Sequence, residues 1–254
     1  MGTYVVTGAA SGIGKAIKLG LESEGHQAIG VDLQDSDIRA DLADGQQFTS
    51  AVAEILRRAP DGLDGLVPCA AAGAENPHKS LIPRVNYFAT VELVEALMPA
   101  LEKRRGAVVL MCSNSATLMP YEDAYVQALL DGERETALAF AESLEGFQLY
   151  GGGKFALGRW MRGRSTSAAK AGVRMNALAP GYTETAMTAA GMKNPQIGPS
   201  MREFVKTIPI GRPAQPEDQA NAALFLLSEK AAYITGAVLF VDGGHDAMFR
   251  PDRF

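Results

Sequence analysis

Tyr150 and Lys154 stand four residues apart in "LYGGGK", a spacing that puts both side chains on one face of a helix. Together they could work as an acid–base device. A phenol with a reference pKa near 10 is a poor base at neutral pH. A cation about 4 Å away contributes roughly 4 kcal/mol at an effective dielectric of 20, and one pKa unit corresponds to about 1.36 kcal/mol. The lysine is therefore expected to bring the tyrosine down by about two to three pKa units, where it can exchange a proton near pH 7. Ser113, at the end of the apolar run "GAVVLMCS" (106–113), offers a hydroxyl that can hold a carbonyl or alcohol oxygen. The tyrosine–lysine pair by itself reads as a surface helix contact, and the position of Ser113 at a strand end turns the reading toward chemistry.

A second signature lies near the N-terminus. "TGAASGIG" (7–14) follows an apolar run and opens a helical pattern. Gly8, Gly12 and Gly14 let the chain turn tightly and bring backbone close to a pyrophosphate at a helix N-terminus, where N–H groups and the dipole favour anions. Asp32 ends "QAIGVD", 18 residues after Gly14, where a carboxylate accepts hydrogen bonds from an adenosine ribose. The same carboxylate repels a 2′-phosphate, so NAD is expected over NADP. A tight turn with no ligand is the plain alternative for the glycines, and the strand, helix and acid around them argue against it.

These groups need a scaffold to place them. Short apolar runs at 3–7, 27–32, 64–70, 106–113, 172–180 and 237–244 read as strands. Helical patterns alternate with them at 14–25, 45–58, 85–103, 150–171 and 216–229. That alternation predicts one α/β domain over 1–254, a doubly wound parallel sheet of Rossmann type with helices on both faces. In an open sheet of this kind ligands bind beyond the carboxyl ends of the strands, where Ser113 lies. Two stretches stand outside the pattern. Residues 121–146, with seven acidic residues and one arginine, read as an extra amphipathic helical insert. Residues 182–208, rich in Met, Pro and Gly, read as a long structureless lid, and such loops are usually functional. Met119, Tyr121, Tyr182, Met187, Met192 and Phe204 are the expected substrate walls, and soft Met-rich walls suit a bulky apolar alcohol or ketone.

Composition narrows the class further. A net charge of -5 argues against nucleic acid or an anionic membrane as the main partner. Cys69 and Cys112 do not make a disulfide framework. The most apolar run, "NAALFLLS" (221–228), is far short of a membrane span, and no signal peptide is visible, so a cytoplasmic location is expected. His26, His78 and His245 lie far apart, and no metal site is expected.

Taken together, the motifs identify the chain as resembling the short-chain dehydrogenase/reductase family over almost its whole length. "TGAASGIG", "YGGGK", "NALAPGYTET" and "VDGG" match that family's TGxxxGxG, YxxxK, N-x-x-x-PG-x-x-x-T and last-strand patterns. The resemblance implies an enzyme with Tyr150 as acid/base, Lys154 on the tyrosine and the nicotinamide ribose, Ser113 on the reacting oxygen and Asn86 in a water relay. It also implies Asp41 and Leu42 against the adenine, and Pro180, Gly181, Thr183 and Thr185 beside the nicotinamide. Ser11, Ile13, Leu33, Cys69, Ala70 and Ala71 complete the expected cofactor contacts. Two departures stand out: the family's NNAG is "CAAAG" (69–73), and Ser113 precedes Tyr150 by 37 residues rather than about a dozen. The long spacing and the tail "VDGGHDAMFRPDRF" resemble the family's bacterial 3α-hydroxysteroid dehydrogenase/carbonyl reductase subgroup. That implies a homodimer, with the family's common tetramer as the alternative. A dehydrogenase for a smaller cyclic or aryl alcohol, or an inactive NAD-binding sensor or scaffold, remains open.

The three glycines between Tyr150 and Lys154 are then the anomaly, since each costs about 1 kcal/mol in a helix interior. A Walker loop would need Gly where Gln148 stands and Ser or Thr where Phe155 stands. The expected reading is a first helical turn whose glycines leave room for nicotinamide, substrate or a neighbouring helix.

Overall fold

In β5, Ala107–Met111, every residue is buried. Val108 and Leu110 join one apolar cluster, while Val109 and Met111 join another. That two-residue alternation, with both sets apolar, is what a strand covered on both faces requires. The computed structural model describes residues 1–195 and 197–253. Its sheet runs β3-β2-β1-β4-β5-β6-β7, all parallel, from β1 (Thr3–Thr7), β2 (Gln27–Asp32), β3 (Ile38–Arg39), β4 (Gly65–Pro68), β5, β6 (Arg174–Pro180) and β7 (Val238–Val241). Strand order reverses between β1 and β4, which opens a crevice at their carboxyl ends.

Helices fill the two faces. On one lie α1 (Gly12–Ser23) and α11 (Pro216–Leu227), whose Ile17, Leu21, Ala223 and Leu226 cover Val6 and Val109. On the other lie α2 (Gly45–Arg58), α4 (Thr90–Arg104) and the long α8 (Gly146–Lys170). The short α3 (Leu81–Pro83) and a π-helical turn, Arg84–Ala89, precede α4, where one continuous helix was expected. Three further short helices follow Ser113: α5 (Ser115–Leu118), α6 (Asp123–Leu130) and α7 (Arg134–Ser143). The insert is thus two helices, broken at Gly132, whose φ of +74° suits glycine. The 182–208 segment is not structureless: it holds α9 (Ala186–Lys193) and α10 (Gly198–Lys206). A closing helix, α12 (His245–Phe249), follows β7.

The glycine run sits differently from the sequence expectation. Glu145 and Gln148 start α8 one turn earlier, the Glu145 N–H donating to Gln148 Oε1 at 3.1 Å, so the glycines occupy the second turn. A Cβ on Gly152 would lie 3.0 Å from Tyr125 Cδ1, and one on Gly153 would lie 3.5 Å from the Tyr125 hydroxyl. Tyr125 of α6 is fully buried and its hydroxyl donates to the Leu149 carbonyl at 3.2 Å. The glycines make room for the insert. Three of them cost about 3 kcal/mol in helix propensity, and a buried aromatic contributes a comparable amount.

Candidate active site

The crevice at the strand ends is a cleft of about 400 Å³. Every residue expected to hold the cofactor lines it, from Gly8, Ser11, Gly12, Ile13 and Gly14 through Asp32, Leu33, Asp41 and Leu42 to Cys69, Ala70 and Ala71. Pro180, Gly181, Thr183 and Thr185 complete the rim, and Ser113, Tyr150 and Lys154 stand in the same cleft. Asn76, Leu81, Val85, Met111, Ala186 and Thr188 also line it and were missed from sequence. Only Thr188 had a visible signal, three residues after the Thr185 cap it bonds with.

The first strand and helix form a cradle for an anionic dinucleotide. Gly8 and Gly12 take φ of +66° and +52°. A Cβ on Gly14 would lie 2.2 Å from the Gly8 carbonyl oxygen, so the turn excludes any side chain. Ser11 makes no side-chain cap at the start of α1, leaving first-turn N–H groups for a ligand. Asp32 accepts the Ala10 N–H at 2.9 Å on one carboxylate oxygen and the Leu33 N–H at 2.7 Å on the other. A carboxylate oxygen accepts about two hydrogen bonds, so capacity remains on each for ribose hydroxyls. The residues present fit a nicotinamide dinucleotide.

The "CAAAG" departure has a structural counterpart. Ala70 donates its N–H to Thr7 Oγ1 at 3.0 Å, and a Cβ on Gly8 would meet that same nitrogen at 2.9 Å. Asn86, on the π-helical turn, accepts the Ala72 N–H at 2.7 Å and donates to the Ala72 carbonyl at 2.9 Å. Its buried side chain therefore braces this loop and does not line the cleft.

At the chemical end the electrostatics reverse one expectation. Burial pushes Tyr150 up to about 12, with the Ser113 hydroxyl acting in the opposite direction and Cys69, Glu75 and Cys112 adding to the rise. Lys154 is itself lowered by burial. Its ammonium donates to the Met111 carbonyl at 2.6 Å and lies 5.7 Å from the Tyr150 ring centroid. Desolvating phenol and ammonium together outweighs the attraction that an effective dielectric of 20 assigned to the pair. Ser113 Oγ donates to Ser115 Oγ and accepts the Ser115 N–H, both at 3.1 Å. Burial likewise pushes both Cys69 and Cys112 up to about 11, which makes them unreactive thiols.

The expected substrate walls are only partly assembled. Met187 lines the cleft, whereas Tyr182 and Met192 line a neighbouring groove between α1 and α9. Tyr121 stacks on Phe155 of α8 at 4.6 Å, and Met119 packs over Gly151. Phe204 leans on His245 and Phe249 of the C-terminal helix. Tyr121 and Phe204 were drawn into intramolecular packing because α8 and the tail, close to them in space, offered aromatic partners. Among the described residues no cluster of His, Cys, Asp and Glu is arranged to hold a metal ion, and no helix is long and apolar enough to cross a membrane.

Comparison with known proteins places this geometry. Residues 3–126 match the short chain dehydrogenase family model, and residues 136–246 match a model described as enoyl-(acyl carrier protein) reductase. The chain is 39% identical to a 3-alpha-hydroxysteroid dehydrogenase/carbonyl reductase of Comamonas testosteroni, over 100% of both chains. The chain belongs to the short-chain dehydrogenase/reductase family. A galactitol 2-dehydrogenase of Cereibacter sphaeroides is 31% identical over 94% of this chain and 93% of its own. The crystal structure of a 3-alpha-hydroxysteroid dehydrogenase from Pseudomonas sp. B-0831, complexed with NADH, superposes with a TM-score of 0.95 at 39% identity. It covers 99% of this chain and 100% of the other. The family makes this chain an oxidoreductase acting between alcohol and ketone.

Proposed function

We propose that the protein is an NAD-dependent oxidoreductase that interconverts a secondary alcohol and a ketone on a bulky apolar substrate such as a 3α-hydroxysteroid. The observation that carries this reading is the single cleft shared by the glycine cradle, Asp32, Ser113, Tyr150 and Lys154. NAD is favoured over NADP because Asp32 places a negative charge where a 2′-phosphate would lie, and the Pseudomonas relative is described with NADH. Leu81, Val85 and Met187 give the cleft an apolar wall suited to a steroid or another fused-ring compound. The galactitol dehydrogenase likeness keeps smaller polyols and cyclic alcohols as the second reading. Acting in the cytoplasm as a homodimer, with neither nucleic acid nor membrane as partner, completes the proposal.

Bound in this cleft, a nicotinamide dinucleotide supplies the hydride acceptor for alcohol oxidation and the hydride donor for ketone reduction. Tyr150 as phenolate takes the hydroxyl proton in the first direction, and as phenol it gives a proton to the carbonyl oxygen in the second. Ser113 hydrogen-bonds the reacting oxygen and favours the phenolate, as its effect on Tyr150 indicates. Lys154, held on the Met111 carbonyl, keeps a positive charge under the tyrosine ring. Backbone N–H groups of the first turn of α1 hold phosphate.

The test is turnover, followed by NADH absorbance, with a panel of hydroxysteroids and of cyclic and aryl alcohols, using NAD and NADP in parallel. Tight NADH binding with no turnover of any substrate overturns the enzyme reading in favour of a sensor or scaffold. Tyr150→Phe is expected to lose at least about 100-fold in turnover while retaining NADH binding. Parallel loss of binding assigns Tyr150 a structural role instead.

A further inference from the structure

The C-terminal tail folds back on its own chain and touches the cleft rim at Gly181, the α10 segment and α5. It leaves β7 at Asp242, which packs so closely on Gly181 that a Cβ there would lie 2.6 Å from Asp242 Cα. Asp242 accepts the N–H groups of Gly244 at 3.0 Å and Asp246 at 2.7 Å, which turns the chain into α12. His245, fully buried, bonds the Thr207 hydroxyl at 3.0 Å and packs on Phe204 of α10 at 4.2 Å. Asp246, also buried, accepts the Thr117 hydroxyl on α5 at 2.7 Å. Arg250 grips the same carboxylate in bidentate fashion, at 2.9 and 3.0 Å.

The Thr117 bond reaches the chemistry. α5 begins two residues after Ser113, and its first residue, Ser115, holds the Ser113 hydroxyl through both its N–H and its Oγ. On its other side α5 leans on α8 beside Tyr150: a Cβ on Gly151 would lie 3.2 Å from the Ser115 carbonyl oxygen and 3.0 Å from Met119 Cβ. The segment carrying Ser113 is therefore wedged between the tyrosine helix and the tail. Among the described residues, only the tail side is tied by a side-chain hydrogen bond to a charged group, the stronger kind.

We propose that Asp246 is a positioning residue for Ser113, acting through Thr117, so that the tail sets the serine hydroxyl against Tyr150. Thr117 can also donate to the Asn114 carbonyl at 3.0 Å, but it has one proton, and the shorter bond to an ionised acceptor draws it. Arg250 holds that acceptor in place through its two hydrogen bonds. The inference rests on the oxidoreductase reading of the cleft.

Thr117→Val removes the hydroxyl at nearly constant volume, and Thr117→Ser retains it. Both are measured for kcat and KM in alcohol oxidation, for NADH affinity, for melting temperature and for the pH midpoint of oxidation. Thr117→Val is expected to lose about tenfold in kcat/KM, chiefly in kcat, with NADH affinity kept. Thr117→Ser stays within about twofold of the parent. The Ser113 hydrogen bond lowers Tyr150, so its displacement raises the pH at which oxidation reaches half its maximum. The other groups acting on Tyr150, namely Lys154, Cys69, Cys112 and Glu75, are unchanged in both variants. Asp246→Asn, which weakens the acceptor, follows Thr117→Val in direction, and the double variant adds nothing further. Equal losses in the Val and Ser variants, or an unmoved pH midpoint, overturn the Asp246 role. A parent enzyme that binds NADH but oxidises no alcohol overturns the oxidoreductase reading on which it stands.

Discussion

Alanine placed in turn at Gly151, Gly152 and Gly153 should give three different outcomes, although each substitution gains the same helix propensity, about 1 kcal/mol. At Gly153 the new methyl lies 3.5 Å from the Tyr125 hydroxyl, an ordinary contact, so the gain survives. At Gly152 it lies 3.0 Å from Tyr125 Cδ1 and 3.1 Å from Tyr121 Cβ. Tyr125 cannot retreat, being fully buried with its hydroxyl on the Leu149 carbonyl. Overpacking costs about 1–3 kcal/mol, which exceeds the propensity gain and leaves a net loss of about 1 kcal/mol. At Gly151 the methyl meets the Ser115 carbonyl oxygen at 3.2 Å and Met119 Cβ at 3.0 Å, so α5 must move and Ser113 with it. For a chain of this size about 1 kcal/mol corresponds to about 2–4 °C in melting temperature. Gly153→Ala should melt higher than the parent by that amount and Gly152→Ala lower, read by circular dichroism at fixed pH. Gly151→Ala should lose activity out of proportion to its melting temperature. A Gly152→Ala protein that melts above Gly153→Ala would refute the assignment of the glycine face to the insert.

Other perturbations test the cleft itself. Asp32→Ala should lower the kcat/KM preference for NAD over NADP by at least about tenfold, and an unchanged ratio undoes the ribose assignment. Overall activity should fall too, because Asp32 holds the Ala10 N–H of the glycine turn. Glu75→Gln removes a negative charge that raises Tyr150, so the pH midpoint of alcohol oxidation should move down; a midpoint that rises or stays removes Glu75 from the field acting on the tyrosine. Buried thiols and phenols should also make the fold sensitive to alkali. Cys69 and Cys112 go from 9.0 to about 11, and Tyr87 and Tyr150 from 10.0 to about 12, in each case through burial. The unfolded chain sheds these protons at lower pH than the folded one, so stability present below about pH 9 is lost as pH rises toward 12. Urea unfolding at pH 7 and pH 10.5 checks the sign, and equal stability at both values would contradict it.

The sequence by itself determined the scaffold and the place of the chemistry. Short apolar runs such as "AVVLM", rich in β-branched residues, suit strands covered on both faces, and the glycine turn, Asp32, "YGGGK" and "NALAPGYTET" are local patterns attached to the carboxyl ends of those strands. Each needs little beyond its own neighbours in the chain, so all of their cofactor residues reach one cleft. Tertiary structure decided what depends on distant neighbours. That Tyr150 rises rather than falls comes from desolvation by walls that no spacing reveals. Asn86 braces the Ala72 backbone because a π-helical turn aims it there, and the "CAAAG" loop needs that brace. Tyr121 and Phe204 fill contacts with α8 and the tail, where the pattern of apolar residues alone pointed to substrate. The glycines of "LYGGGK" show the division most plainly. Their cost in helix propensity is visible in the sequence, but its offset lies in Tyr125, 27 residues upstream of Gly152, and only the folded chain brings the two into contact.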